Sequence, residues 1–231
     1  MILRTSAESQ CLTNSLVINT GYNPLTGTAI AGGSNGGTPV IDPYWYLTAV
    51  SPGVATAISL TGIPGLIEVI PGNNANVIQR VGTWAVNPGP DPGGWISCLN
   101  SNTYNNPGLG TTAYNMTLGR QFRMCTDDSI TLTLYIANDN WCSSSNIDGV
   151  PLGFSQAVGE LTTTYSTYEF FTQTVYLTAG THTINFVVNN YDQVGTSGSN
   201  PTGLDIYGTV ASTSGLNSLV SESVTGCNTY V

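Results

Sequence analysis

The sequence predicts an all-β fold, an antiparallel sandwich of about ten short strands. Three observations lead there. Apolar and polar residues alternate over short runs rich in β-branched and aromatic side chains. Between those runs lie NPLTG, AGGSNGG, NPGPDPGG, NNPGLG, LTAGTH and GTSGSNP, built from residues that set or tolerate turn geometry. Helical periodicity is nearly absent, which removes the helices that a parallel α/β sheet requires.

In chain order the expected strands are SLVINT (15–20), YWYLTAV (44–50), ATAISL (55–60), LIEVI (66–70), VIQRVGTW (77–84), TAYNMTLGRQFRM (112–124), SITLTLYIAND (129–139), STYEFFTQTVYL (166–177), THTINFVVNN (181–190) and GLDIYGTVA (203–211). The alternation also assigns faces. Ile130, Leu132, Leu134 and Ile136 share one parity, and Ile184, Phe186 and Val188 share another, so these two strands supply inner faces of the core. The residues from 135 to 154 then divide into an outgoing inner strand (YIAND), a sandwich-end loop (NWCSSSN) and a new strand after a turn at Asp148–Gly149. Residues 1–16 read as an N-terminal arm and 17–211 as the sandwich domain. The Ser/Thr-rich 212–231 reads as a tail or a strand exchanged with a neighbouring chain.

Composition narrows the function. Charged residues are 7% of 231, there is no lysine, and four arginines face thirteen carboxylates for a formal charge of −9. Such a surface repels phosphate backbones and anionic lipid, which excludes nucleic-acid binding and membrane-surface attraction. No apolar run reaches the length of a membrane span. The N-terminus has no continuous apolar segment of a secretory leader; either a removed leader or release without one, as for virion components, accounts for this.

Five cysteines at 11, 98, 125, 142 and 227 contain no CxxC pair, which dismisses a zinc ribbon or a thioredoxin-type motif. The expected bridges are Cys125–Cys142, flanking a strand, and Cys11–Cys227, joining the termini, with Cys98 left over. Five reduced thiols are the alternative, and an odd cysteine also permits a bond between subunits.

Catalytic signals are weak. His182 opens a strand with core-facing parity and reads as structural. Gly32-Gly33-Ser34-Asn35-Gly36 fits G-x-S-x-G but lies in a glycine run with no helix after it, so it is not a nucleophile elbow. Asp127-Asp128 reads as a turn at a strand entry. No EF-hand loop occurs, although Asp139 and Asp148, with Asn138, Asn140 and Asn146, could supply calcium oxygens at one sandwich end. A hydrogen-bonded turn cluster is the competing reading of the same residues. No cofactor is expected beyond that structural calcium. Sugar recognition needs a stacking aromatic and planar amides or carboxylates; Trp141 and Trp95 are the tryptophans expected to be exposed, with Asn138, Asp139, Asn140 and Asn146 as hydroxyl partners.

Several stretches resemble, in order, a module of bacterial secreted and surface proteins. NTGYNPLTGTAIAGGSNGGTPVIDPYWYLT (19–48) is similar to its opening, WISCLNSNT (95–103) to its W-I-x-x-N stretch, YIANDNW (135–141) with IDGVPLG to its strand end and turn, and THTINFVVNN…PTGLDIYGTV (181–210) to its close. The resemblance implies a galactose-binding-domain-like jelly roll shared by many carbohydrate-binding modules, non-catalytic and directed at glycans or adhesion. The alternative is a structural subunit of a virion or extracellular filament; a glycan-active enzyme is a third. The expected partners are a glycan or neighbouring protein subunits in a homo-oligomer, at the cell surface, outside the cell or on a virion.

Overall fold

The structure is a computed structural model that describes residues 13–33, 38–51, 71–89, 93–99, 114–157, 164–190, 202–215 and 219–221. The expected strands at 55–60 and 66–70, the Ser34–Gly36 part of the G-x-S-x-G stretch, and the Cys11–Cys227 pair lie outside those residues.

The protein is an all-β, antiparallel jelly-roll sandwich; the described residues contain no helix. Its strands are β1 (Ser15–Val17), β2 (Tyr22–Asn23), β3 (Thr28–Ala29), β4 (Ile41–Ser51), β5 (Asn74–Val77), β6 (Ile96–Ser97), β7 (Tyr114–Met124), β8 (Asp128–Asp139), β9 (Trp141–Ile147), β10 (Val150–Pro151), β11 (Glu169–Leu177), β12 (Gly180–Asn190), β13 (Gly203–Ser212) and β14 (Leu219–Ser221). One hydrogen-bonded path runs β10-β9-β12-β7-β4-β5-β6-β13-β8-β11, with β1 on β13 and β14 on β7. Short ladders through β5 and β6 carry that path from one layer to the other.

The predicted inner faces are the core. Ile130, Leu132, Leu134 and Ile136 of β8 meet Ile184, Phe186 and Val188 of β12, all fully buried in one cluster. Phe154 bridges the layers, its ring 5.5 Å from Phe171 of β11 and 6.4 Å from Phe186 of β12. Within β7 the inward series Met116, Leu118, Phe122 and Met124 is interrupted by Arg120. Its guanidinium carbon sits 4.7 Å from the centre of the Tyr44 ring, and Nη2 donates to the Val17 carbonyl. Burial pulls the Arg120 pKa down to about 10, and the nearby Asp42 charge opposes that fall.

Asp42 shows what the IDPYW stretch does. Its carboxylate accepts the backbone N–H groups of Tyr44, Trp45 and Gly21 at 2.7–3.0 Å, and Trp45 donates its indole N–H to the carbonyls of Ile18 and Asn19. These residues tie the N-terminal segment to the start of β4. Burial pushes the Asp42 carboxyl above its ordinary range, against the pull of those N–H groups and of Arg120.

Three expectations are corrected. VIQRVGTW is a strand only as far as Val77; Trp84 N donates to Val81 O, and Arg80 Nη1 takes the carbonyls of Val81, Gly82 and Trp84, so the chain turns instead of extending. WCSSSNI is a strand, not a loop: Cys142, Ser145 and Ile147 are buried and the run pairs with β12, with a register shift between Val187 and Val188. The serines hide that strand, because they carry no hydrophobic alternation. The turn that follows is as expected, with Asp148 (φ 51°) and Gly149 (φ 84°) both left-handed, as a two-residue hairpin demands.

The Cys125–Cys142 bridge is the third correction. Cys142 is a buried thiol on β9 whose Sγ donates to the Ser144 carbonyl, whereas Cys125 is disulfide-bonded elsewhere. In the segment read as a tail, Leu219–Ser221 pairs with Phe122–Met124 of its own chain.

Candidate functional site

The residues expected to form one sandwich-end site are not brought together. Asn138 and Asp139 close β8, and both are buried. Asp139 Oδ2 accepts the Trp84 indole N–H at 2.8 Å, and Oδ1 accepts from Asn140 Nδ2 at 2.7 Å. Asn140 N donates to Asn189 O, and its carbonyl accepts the Thr164 hydroxyl. Trp141 opens β9, half-buried. Asn146 lies at the far end of β9 on the outer face, where its Oδ1 accepts from Gly149 N and Asn185 Nδ2.

The calcium pairing is therefore corrected. Asp139 and Asp148 stand at opposite ends of β9, more than 20 Å apart at about 3.3 Å per residue, beyond the reach of one ion. Asp148 is taken up instead by His182 Nδ1 at 2.6 Å and by Thr183 N at 2.8 Å. His182 Nε2 meets the Thr178 carbonyl at 2.8 Å, so both ring nitrogens are occupied and the imidazole pins the β9–β10 hairpin to β12. No group of three or more His, Cys, Asp or Glu suited to a metal occurs among the described residues.

Trp95 is not exposed: its relative exposure is 1%. The ring packs on Trp84 at 4.1 Å between centres, and its N–H donates to the Ala85 carbonyl at 3.3 Å. With Ile78, Ala85 and Ala137 the two indoles form a second, smaller core cluster. That cluster is the back of an open cleft of about 290 Å³.

The cleft is assembled from four segments. Ile30 and Gly32 follow β3, Ile78–Arg80 follow β5, Ala85–Asn87 form the next turn, and Gly93–Trp95 lead into β6, with Asp205 of β13 at the base. Gly93 has no room for a side chain, since a Cβ there would stand 2.3 Å from the Thr20 carbonyl. Ile30, Ile78 and Val86 give an apolar wall; Gln79, Arg80 and Asn87 give the polar side. Arg80 is held in place by the three carbonyls bound to Nη1, the shortest being Trp84 O at 2.6 Å. Asn87 accepts Gly89 N through Oδ1, while its buried Nδ2 has no hydrogen-bond partner. Asp205 accepts the hydroxyls of Tyr168 (2.7 Å) and Thr20 (3.0 Å), and burial pushes its carboxyl up to about 6 against those bonds.

Of the residues expected from sequence, Trp95 alone lines this cleft. Gln79, Arg80, Asn87 and Asp205 were not anticipated. The available signal was an arginine, rare in this chain, a few residues before the Gly/Pro-rich stretch NPGPDPGG.

No family model matches the sequence, and none of the curated proteins does. Among solved structures the chain is distantly similar to family 35 carbohydrate-binding modules. A CBM35 from Cellvibrio japonicus Abf62 aligns at 18% identity over 68% of this chain and 96% of the module, with a TM-score of 0.33. A family 35 module from Clostridium thermocellum aligns at 13% over 60% and 88%, with a TM-score of 0.34. Xyl-CBM35, solved with a glucuronic acid containing disaccharide, aligns at 18% over 71% and 99%, with a TM-score of 0.31.

Proposed function

We propose that this chain is a non-catalytic glycan-recognition module whose ligand enters the cleft beside Trp95. The observation that supports this reading is the cleft itself: a guanidinium fixed by three backbone carbonyls lines it together with Gln79, Asn87 and the apolar Ile30, Ile78 and Val86. Sugars present that mixture, with hydroxyl oxygens for Arg80 and C–H faces for Ile30, Ile78 and Val86. Binding sites of this kind are largely pre-formed, with few placed polar groups. The non-catalytic reading draws on the state of the titratable groups, since His182 has both nitrogens engaged and Asp205 has both oxygens engaged. The disulfide at Cys125 fits an oxidising, extracellular setting.

A glycan array with neutral and acidic oligosaccharides, followed by titration calorimetry of the hits, tests the reading. Arg80→Ala and Val86→Asp should each weaken binding by tenfold or more. Val86 is 65% exposed, so its replacement leaves the fold intact even where Arg80→Ala loosens the turn that it anchors. An array without hits, or affinity unchanged in Val86→Asp, overturns the assignment.

A further inference from the structure

We propose that two copies of this chain associate through β11, edge to edge and antiparallel about a twofold axis at Gln173. The site is distinct from the cleft and does not depend on what the cleft binds. β11 ends the hydrogen-bonded path, pairing with β8 on one side from Glu169 to Leu177 without a register break and, among the described residues, with no strand on the other. Sheet edges are normally protected by Pro, Lys, bulges or brevity. The other end of the path has such protection: β10 is two residues long and contains Pro151. β11 has nine residues, EFFTQTVYL, with none of these devices.

The strand's own sequence selects the occupant. Read antiparallel about Gln173, Phe170 falls opposite Tyr176 of the second copy, Phe171 opposite Val175, and Thr172 opposite Thr174. Each pair is matched in type, and side chains opposite one another share a face. Phe170 and Tyr176, 54% and 65% exposed, are two of the few large apolar side chains left in solvent among the described residues, and this register covers each with the other. Phe171 and Val175, already packed against the core, would meet across the joint and continue it. An interface in which residue i meets j and j meets i is what a twofold requires.

Charge agrees. The chain carries −9, so most approaches of two copies are repulsive. On the outer face of β11 the exposed residues are Phe170, Thr172, Thr174 and Tyr176, beside the half-buried Ser129, Thr131, Thr133 and Tyr135 of β8, with no ionised group among them. The carboxylate of β11, Glu169, sits at one end. Antiparallel pairing sets the two Glu169 residues about 26 Å apart along the strands, whereas parallel pairing would set them side by side.

The test is sedimentation of the full chain across a concentration series, where a 24.2 kDa monomer should give way to a species of twice that mass. Thr172→Lys/Thr174→Lys places like charges across the axis and should weaken association at least tenfold. Thr172→Glu/Thr174→Lys places opposite charges there and should retain it. Gln173→Cys, on the axis itself, should form a cross-linked dimer under mild oxidation; this decides the matter if the lysine variant fails to fold by circular dichroism. A wild-type chain that stays monomeric, a dimer indifferent to the lysine pair, or no cross-link at Gln173 overturns the proposal. So does an edge that takes up only a different, extended peptide.

Discussion

Trp84 donates its indole N–H to Asp139 Oδ2 at 2.8 Å, fastening the turn after β5 to the last residue of β8. The bond holds the Trp84–Trp95 cluster against the sheet, and with it the back of the cleft.

Burial dominates at Asp139 and pushes its carboxyl up to about 7 from an ordinary 3.8, the Trp84 bond pulling the other way. The folded state thus holds this proton more tightly than the unfolded state. The stabilisation is complete below about pH 4 and is lost as pH rises through about 7. Asp205, pushed up to about 6, acts in the same sense. Urea unfolding followed across this range should show stability falling by roughly 4 kcal/mol or more. Asp139→Asn should flatten the slope; an unchanged slope would show that neither burial nor Trp84 governs this group.

Cys142 should be chemically silent in the native protein. Burial pushes its thiol up to about 12, leaving about a thousandfold less thiolate than an ordinary cysteine. Iodoacetamide should label it only after denaturation, as read by mass spectrometry of the peptide spanning β9. Rapid native labelling would place Cys142 outside the core.

Gly208 sits in the middle of β13 at φ 152°, and a Cβ there would lie 2.1 Å from the Thr133 carbonyl of β8. Gly208→Ala should separate two central strands and cost about 3 kcal/mol or more. A denaturation midpoint close to wild type would contradict the packing.

Phe154 carries a contact between the layers that no strand ladder provides. Phe154→Ala should destabilise by about 3–5 kcal/mol without changing the β-rich circular dichroism of the folded state. A loss below about 1 kcal/mol would mean that the layers close without it.

Much of the fold was legible because β8 and β12 alternate strictly, and alternation is a direct imprint of one buried face. β9 was hidden because serine fills its buried position 145 as well as exposed ones, and hydroxyls erase the period. The site was harder to read for a related reason. Asp42, Trp45, Trp95 and Asp139, the residues that stand out in the resemblance, are all buried and bonded inward. Polar and aromatic residues that must be satisfied in a core look in sequence like residues that grip a ligand. The cleft residues Ile30, Arg80 and Asp205 come from segments far apart in the chain, and no local pattern announces such a meeting.

The Trp84–Trp95 pair also gives the protein an optical gauge of its own. Two indoles 4.1 Å apart share their electronic transitions, and one of them lines the cleft. Whatever settles there shifts the dielectric around the coupled rings, and their exciton signal should record occupancy without a label.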